Sequence, residues 1–568
     1  MQNFTARTFL MLAIAFLVCA GTTTVIYLSS KEPSVKKIPL RDRIDLAWEQ
    51  EFEMTKDPAL GYVPTQRILQ AWDYTKGLIA AKSTQAIPGI QWVSIGPKNF
   101  GGRTRALLVD LNDATRKTVW AGSVGGGLWK TTDITAAEPN WMPVNDLFGN
   151  LAITSIAQDP TNPLVMYFGT GEGYGNSDAI RGLGIWKSTD GGNSWSQLTS
   201  TNNSNFYYNQ KLLVSTAGTL FSCTQQGLFR STNGGSSFTK VLGTGLGISG
   251  TNSNVCYDIE QAANGFLYAT LRGVESSSLS GSIHKSTNDG ISWGAAATLP
   301  ISADRIEIAT APGNAAYIYA LVELGSAVNG ILQSTDGGLT YVSRTEPDDA
   351  DGGISAADFS RGQAWYDLAI AVSPDNPQTV FVGGVDLFKT TDGGMSWSQI
   401  AHWYGGYGFQ DVHADQHNII FQPGNGNVVY FTNDGAVYRS GNANDAMPAI
   451  SSKGGNYNTL QFYSCAMNPT AGSFNFLAGA QDNGSHRFTQ AVLQNTSEVT
   501  GGDGAFCHID QDEPQYQFTS YVYNNFYRSS NGGTSFTSAN HGNSGRFVNP
   551  TDYDDLNNKM YCARSSNQ

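Results

Sequence analysis

The sequence predicts an all-β fold built from β-propeller blades, and the observation that carries this prediction is one recurring phrase. The phrase reads Ser-Thr-Asp-Gly-Gly-Asn-Ser-Trp at 188–195 and Thr-Thr-Asp-Gly-Gly-Met-Ser-Trp at 390–397. Weaker copies begin at Ser231, Ser286, Ser334 and Ser529. A repeat of about 40–50 residues that is made of strands is typical of a propeller blade.

Each copy of the phrase has the local chemistry of a hairpin. An apolar–aromatic–basic triplet such as 185–187 precedes it and alternates in the manner of a strand. The Asp or Asn accepts hydrogen bonds from nearby backbone N–H groups, and the glycines supply the positive φ that a tight turn needs. The closing aromatic is expected to pack between adjacent blades. We therefore predict that the phrase is structural.

Composition agrees with a turn-rich β protein and excludes some partners. The chain has 568 residues, of which 64 are Gly and only 14% are charged, with a formal net charge of −13. Low charge with abundant Gly suits a large β core. The acidic balance argues against nucleic acid and anionic membrane surfaces as partners.

The N-terminus predicts export. Residues 1–30 contain an apolar run from Phe9 to Ala20, with small residues around a cleavage point after Ala20. Apolar residues resume at 25–28, so an uncleaved anchor is the alternative to a signal peptide. The predicted location is secreted or cell-surface, with membrane contact only through this segment if it is not removed.

The rest of the chain divides into three parts. Residues 31–90 carry apolar residues at helical spacing and predict a helical leader. Residues 91–445 predict a first propeller of about seven blades, and 446–568 predict the start of a second propeller that is truncated. Because single propellers usually have about 4–8 blades, two in tandem fit better than the alternative, one ten-bladed ring.

The repeated phrase resembles the Asp-box, or BNR, repeat of sialidases, sortilin-type receptors and tandem-propeller xyloglucanases. Segments 96–103, 119–129, 411–417 and 501–504 are also similar to large secreted propeller proteins of Bacteroidota, which are often labelled glycosyl hydrolases. This resemblance implies a secreted propeller, a link to type IX secretion and a carbohydrate ligand. It covers nearly the whole chain.

Functional side chains of a propeller are expected where each blade's second strand ends, because these positions face the central channel. Charged groups that recur at this level indicate a polyhydroxyl ligand or an ion, and the alternative is that they cap turns. The residues at these positions are Ser123, Glu172, Arg272, Glu323, Asp434 and Asp482.

Glycoside hydrolysis would require two carboxyl groups that flank the scissile bond. The resemblance to xyloglucanases places the first catalytic acid in the phrase 121–126, where this chain has Ser123. It places the second acid in the second propeller, where Asp503 is the nearest match. An enzyme would therefore use a different pair of acids. The catalytic candidates are Asp482, Asp503, Glu172 and Asp434, with Asp411 and Asp415 as further acids.

Other residues are candidates for direct ligand contact. Arg103 and Arg105 are placed to hold a carboxylate, with buried pairing as the alternative. Trp403 and Tyr404 belong to an aromatic group that suits stacking on sugar rings, with core packing as the alternative. Arg272 and Glu323 complete the predicted ligand-binding residues.

The segment 411–417 predicts a divalent cation site. On an extended strand, alternate residues share one face, which would align Asp411, His413, Asp415 and His417. Mixed His and Asp ligands suit zinc or another transition metal. Direct ligand contact and a structural hydrogen-bond ladder are the alternatives. A second candidate is the acidic loop 346–353, which could hold calcium.

These observations favour an exported propeller protein that binds an extracellular polysaccharide or glycoprotein through channel-facing loops. The first alternative is a glycoside hydrolase, xyloglucanase-like or sialidase-like, with a non-standard carboxylate pair. The second alternative is a protein-interaction scaffold, which the resemblance to sortilin-type receptors implies.

Overall fold

The computed structural model describes residues 52–564 except 65–66, 68–69, 72–73, 76, 79–92, 175–178, 274–279, 356–357 and 541–543. The predicted N-terminal signal or anchor therefore lies outside the described residues, as does most of the predicted leader. Within the leader, residues 52–55 are helical. No helix in the described ranges is long and apolar enough to cross a membrane.

The described chain is almost entirely β-structure, arranged as successive antiparallel sheets that we number as blades 1–10. Blade 1 contains β1 (Thr104–Val109), β2 (Val119–Ser123), β3 (Gly127–Thr131) and β4 (Met142–Pro143), and blade 2 contains β5 (Ile153–Gln158), β6 (Met166–Thr170), β7 (Ile185–Ser188) and β8 (Ser196–Gln197). Blade 3 contains β9 (Asn209–Val214), β10 (Leu220–Thr224), β11 (Gly227–Ser231) and β12 (Thr239–Leu242). Blade 4 contains β13 (Cys256–Gln261), β14 (Leu267–Leu271) and β15 (Ser282–Ser286). Two short 3-10 helices, Thr199–Thr201 and Ser204–Phe206, precede β9.

Blades 5–7 have four strands each. Blade 5 contains β16 (Arg305–Thr310), β17 (Ile318–Leu324), β18 (Ala327–Ser334) and β19 (Val342–Arg344). Blade 6 contains β20 (Ala369–Val372), β21 (Val380–Gly383), β22 (Leu387–Thr390) and β23 (Ser398–Ala401). Blade 7 contains β24 (Asn418–Gln422), β25 (Asn425–Asn433), β26 (Ala436–Ser440) and β27 (Ile450–Ser452).

Three further sheets follow. Their strands are β28 (Phe462–Met467), β29 (Phe476–Ala480), β30 (Ser485–Phe488) and β31 (Ser497–Thr500); β32 (His508–Ile509), β33 (Gln517–Ser520), β34 (Phe526–Ser529) and β35 (Thr537–Ser538); and the two-stranded pair β36 (Thr551–Asp554) and β37 (Lys559–Cys562).

The first seven blades close into a ring. The first strands of consecutive blades lie side by side from β1 to β24, and β24 and β25 pack in turn against β1. Trp141 of blade 1 donates from its indole N–H to the Lys453 carbonyl at 2.7 Å, and Tyr457 is buried against Trp129. Blades 8–10 lie outside this ring. The all-β, tandem-propeller fold class is confirmed, and the single ten-bladed ring does not form.

The repeated phrase forms a turn, here called the repeat turn, that interlocks neighbouring blades. In the copy at 188–195, Oδ1 of Asp190 accepts from the Ser194 N–H at 2.9 Å, and the Gly192 N–H donates to Ser188 Oγ at 2.8 Å. A Cβ at Gly192 would overlap Trp120 of the preceding blade. Trp195 packs edge-on against the same Trp120 ring, at 6.1 Å between centroids. Glycine is therefore required by close approach as well as by its positive φ.

The antiparallel order of the strands sorts the connections onto two faces. The repeat turns join third and fourth strands and lie on one face, here called the turn face. Connections between second and third strands, and connections between blades, lie on the opposite face, here called the loop face. The longest connections of the ring on the loop face are 345–368 and 402–417. The fold thus separates the structural repeat from the loops that can vary.

Candidate functional site

The structure places the sequence-predicted site residues at the loop face. Glu172, Arg272, Asp434 and Asp482 follow the second strands of their blades, and Glu323 lies near the end of β17. The other predicted residues lie in inter-blade connections or at the start of β1. They are Arg103, Arg105, Trp403, Tyr404, Asp411, His413, Asp415, His417 and Asp503.

Several of these side chains meet Asp367 where blades 6 and 7 adjoin blades 8 and 9. We name this group the junction cluster, and it consists of Arg103, Asp367, Asp415, His417, Asp434, Asp482 and Asp503. Its centre is the pair of His417 and Asp434, whose Nε2 and Oδ1 atoms are 2.6 Å apart. Nδ1 of His417 lies 3.4 Å from Oδ1 of Asp367.

Arg103 links the junction cluster to the channel and to blade 8. Its Nε lies 3.9 Å from Oδ1 of Asp434, and its Nη1 donates to the Tyr366 hydroxyl at 3.1 Å. Its Nη2 donates to the side-chain oxygens of Gln461 and Gln481 at 3.1 and 3.2 Å. The guanidinium therefore lies between the seven-bladed ring and the sheets that follow it in the chain.

Neighbouring groups give the carboxyl groups of this cluster opposite protonation tendencies, although burial disfavours the ionised form of each. Burial and the neighbouring Asp415 and Asp434 raise the pKa of Asp367 well above its usual value. Burial also opposes the ionisation of Asp434, but His417 and Arg103 outweigh it and lower that pKa to about 2. Burial and Arg105 lower the pKa of His417 to about 4, against the opposing effect of Asp434. At neutral pH an ionised Asp434 thus lies beside a neutral imidazole.

Asp482 and Asp503 are in direct contact. The Asp482 N–H donates to Oδ1 of Asp503 at 3.0 Å. Burial and Asp503 raise the pKa of Asp482 well above its usual value. Ionisation of one of these two carboxyl groups therefore opposes ionisation of the other.

The segment 411–417 does not form the extended strand that its alternation predicts. Asp415 has a positive φ of 66°, which breaks the alternation of faces. His417 faces Asp434, while Nε2 of His413 lies 3.0 Å from the Asp482 carbonyl. No three of the four predicted ligands, all described, bring donor atoms within 4.8 Å of one another. The four predicted ligands therefore do not form a group of three donors in this conformation.

The channel mouth is closed by a stack of arginines and tyrosines. The Arg105 guanidinium lies 4.1 Å from the Tyr174 ring centroid and 4.2 Å from that of Tyr366. Arg305 lies 4.8 Å from the same Tyr174 ring. Arg105 is only 3% exposed, so burial replaces the ligand contact predicted for it. Glu172 contributes charge to this buried stack.

Two of the channel-level positions act as turn caps, which was the alternative prediction. Oε1 of Glu323 accepts from the Ser326 N–H at 2.7 Å, and Oε2 accepts from the Arg305 N–H at 2.9 Å. Oγ of Ser123 accepts from the Gly126 N–H at 3.0 Å. Arg272 adds a positive charge beside the buried Tyr257.

Beside the junction cluster, three aromatic side chains are exposed on the loop 402–417. Trp403, Tyr404 and Tyr407 are 39, 48 and 59% exposed and form what we name the aromatic patch. The Tyr404 and Tyr407 hydroxyls both donate to Oδ1 of Asp351, at 2.8 and 2.9 Å. Although burial opposes it, these hydrogen bonds and Arg361 lower the pKa of Asp351.

Beneath the aromatic patch, Arg361 contacts three carboxyl groups, and together these side chains form what we call the carboxylate layer. Its terminal nitrogens contact carboxylate oxygens of Asp349, Asp351 and Asp386 at 3.0, 3.0 and 3.1 Å. Asp386 also accepts from the Trp403 N–H at 2.7 Å. The layer is continuous with the junction cluster, since Asp386 and Arg361 interact electrostatically with Asp415.

Sequence reasoning missed Asp367, Asp386, His402 and Arg361. Asp386 follows the second strand of blade 6, so the same rule that found Asp434 would have found it. The other three lie in long connections without repeat spacing. Only the folded loops bring them together.

Comparisons with known proteins support the fold. No family model matches the chain, and no curated protein matches it. A GH74 enzyme from Niastella koreensis is similar in structure, with a TM-score of 0.56 and 18% identity, over 83% of this chain and 70% of that chain. The GH74 xyloglucanase from Xanthomonas campestris gives a TM-score of 0.58 and 17% identity, over 82% of this chain and 71% of that chain. At these identities the likeness shows that the chain has a β-propeller fold.

Proposed function

We propose that this chain is an exported β-propeller protein that binds an extracellular glycan at its loop face. The observation that carries the proposal is the aromatic patch, which exposes three adjacent rings beside a layer of carboxylates and an arginine. Exposed aromatic faces stack on the apolar faces of sugar rings, and carboxylates accept hydrogen bonds from sugar hydroxyls. Soluble surfaces seldom cluster large aromatics without a binding role.

The repeat turn and the N-terminus extend this proposal to family and location. We assign the turn to the Asp-box type and the chain to the secreted Bacteroidota propeller proteins that it resembles. The turn's hydrogen bonds from Ser188 and Ser194 to Asp190 support the first assignment. The apolar N-terminal segment supports export, to the medium or the cell surface. The partner would then be a polysaccharide or the glycan of a glycoprotein.

Affinity electrophoresis through gels that contain xyloglucan, xylan, pectin or mucin tests the proposal. The wild type is expected to be retarded by at least one of these polymers. Trp403→Ala and Tyr407→Ala are expected to weaken binding about tenfold or more, which corresponds to about 1.4 kcal/mol. Tyr407→Phe keeps the ring and is expected to bind nearly as well as the wild type.

Phe474→Ala is the matched control. Phe474 is 45% exposed, comparable to Tyr404, but it lies between β28 and β29 on the face opposite the patch. It is expected to bind like the wild type. The proposal fails if no polymer retards the protein, or if the patch variants retain full binding while melting like the wild type.

A second candidate function is glycoside hydrolysis, and the junction cluster is the observation that favours it. Asp434 is held ionised, whereas burial and Asp434 raise the pKa of Asp415 well above its usual value. An ionised and a protonated carboxyl group in one site are what acid and base catalysis require. We therefore take Asp434 and Asp415 as the pair of acids to test.

Release of reducing ends from the same polymers tests this candidate. Activity is expected in the wild type and is expected to fall at least a hundredfold in Asp434→Asn and in Asp415→Asn, as general acid–base catalysis contributes about 10²–10⁴-fold. Polymer binding without release of reducing ends in the wild type would leave glycan binding as the function and reject hydrolysis.

A further inference from the structure

His402 is a buried imidazole whose ring has no hydrogen-bond partner. Its side chain is fully buried, and neither ring nitrogen makes a hydrogen bond within the described part of the chain. A buried polar group left without a partner costs roughly 1–3 kcal/mol. Such a group in a native structure calls for an explanation, and a bound ion that supplies the missing contact is one.

The ring of His402 points at carboxylates. Nε2 lies 3.5 Å from Oδ2 of Asp351 and 3.9 Å from Oδ2 of Asp386. One ligand atom each from Asp349, Asp351 and His402 can be chosen so that all three lie within 4.8 Å of one another. These three residues are the only such group of His, Cys, Asp or Glu in the part of the chain that the structure describes.

The surroundings hold the imidazole in this orientation. Tyr404 packs edge-on against the His402 ring at 4.2 Å between centroids, and Tyr407 and Trp403 lie at 5.3 and 6.5 Å. The aromatic patch thus packs against the imidazole, whose side chain is 0% exposed. A shell of apolar rings around a mixed nitrogen and oxygen donor set is common at metal sites.

We propose that Asp349, Asp351 and His402 bind one Zn²⁺ ion beneath the aromatic patch. Zinc accepts imidazole nitrogen and carboxylate oxygen together, and three protein ligands leave a fourth position for water or a ligand oxygen. Calcium, which the acidic loop alone predicts, takes oxygen ligands almost exclusively and leaves the imidazole unused.

Arg361 is compatible with this site. It contacts Oδ2 of Asp349 and Oδ2 of Asp351, but each carboxylate offers about four lone-pair positions. Oδ1 of Asp349 accepts the Asp351 N–H at 2.8 Å. A single guanidinium shared among three carboxyl groups leaves acceptor capacity for a cation. The site is formed by two inter-blade loops and does not depend on the glycan proposal.

Zinc binding by protein without a histidine tag, stripped with a chelator and dialysed, tests the inference. Isothermal titration with Zn²⁺ alone is expected to give one site in the wild type. His402→Gln and Asp349→Asn are expected to lose at least tenfold in affinity, since even outer-shell changes at metal sites cost about 10–100-fold. An excess of Ca²⁺ is expected not to displace the zinc.

His284→Gln is the matched control. His284 is equally buried, but its ring nitrogens lie 3.0 Å from Ser282 Oγ and 3.0 Å from the Gly294 carbonyl. It is expected to bind zinc like the wild type. No zinc uptake by the wild type, equal uptake by His402→Gln and Asp349→Asn, or displacement by equimolar Ca²⁺ would overturn the inference.

If the variants do not fold, X-ray absorption of the zinc-loaded wild type tests the site instead. The expected spectrum fits one imidazole nitrogen with oxygen ligands at about 2.0–2.2 Å. A spectrum without imidazole scattering would contradict the site, whatever the polysaccharide assays show.

Discussion

Nε2 of His417 lies 2.6 Å from Oδ1 of Asp434, and the two side chains are 0 and 6% exposed. The contact joins the loop before β24 to the turn after β25, at the mouth of the channel. Because Asp434 is ionised, His417 donates through Nε2 and remains neutral at pH 7. This contact sets the acid sensitivity of the junction cluster.

The folded state is expected to lose stability as the pH falls from about 6.5 to about 4. The pKa of His417 is about 4 when folded and 6.5 ordinarily, so in this window the unfolded chain binds a proton that the folded chain does not. Stability then rises with pH, by roughly 3 kcal/mol over the whole window. Urea unfolding at several pH values measures this dependence.

His417→Gln keeps a donor towards Asp434 but does not titrate in this range. Its unfolding free energy is expected to depend less on pH than that of the wild type. Some dependence should remain, because burial lowers the pKa of His486 to about 4 as well. An unchanged slope in the variant would show that His417 does not titrate as stated.

Asp482→Asn is expected to stabilise the protein increasingly as the pH rises above 4. The folded pKa of Asp482 is raised, so its contribution is present below its ordinary value of 3.8 and is lost as the pH rises towards the folded value. The gain is therefore expected to be larger at pH 8 than at pH 5. Asn also tolerates the positive φ of 57° at this position.

Denaturation midpoints of wild type and Asp482→Asn at pH 5 and pH 8 provide the comparison. The difference between the two proteins should widen at the higher pH. A difference that does not vary with pH would mean that the Asp482 carboxyl ionises normally in the folded protein.

Arg105→Lys is expected to destabilise the fold by roughly 2–4 kcal/mol. The guanidinium is buried between the Tyr174 and Tyr366 rings, and a desolvated cation–π contact contributes about 2 kcal/mol. An ammonium is compact and strongly hydrated and cannot lie flat against two rings. Urea unfolding measures the loss, with the exposed Arg528→Lys as the control. Equal stability of the two variants would contradict the stacking role.

Asp392→Ala in the repeat turn is expected to lower the melting temperature by about 2–4 °C, whereas Asp392→Asn should change it little. Oδ1 of Asp392 accepts from Thr390 Oγ1 at 2.7 Å and from the Ser396 N–H at 3.0 Å. The copy with Asn233 makes the equivalent contacts to Ser231 and Ser237. Calorimetry of both variants checks this. A loss of polysaccharide binding by either would contradict the purely structural role of the turn.

The propeller could be predicted because its signal is local and repeated. The turn at 188–195 uses the same hydrogen bonds as its other copies, so spacing alone located the blades. The position after each second strand is likewise fixed by the strand count. That rule placed Asp434 and Asp482 on one face.

The details of the site depend on loop conformation, which no periodicity encodes. The segment 411–417 alternates like a strand, yet the left-handed φ of Asp415 breaks the alternation. Arg105 was predicted to hold a carboxylate, but it lies against two rings, one from blade 2 and one from the connection before blade 6. His402 meets Asp351 only because two long connections fold against each other.

Hydrogen–deuterium exchange with and without the most strongly retained polysaccharide tests the central claim most directly. The polymer is expected to protect backbone amides of the loop 402–417 and to leave the repeat turns at 188–195 and 390–397 unchanged. Protection confined to the repeat turns, or no difference in the loop, would contradict a glycan site on the loop face.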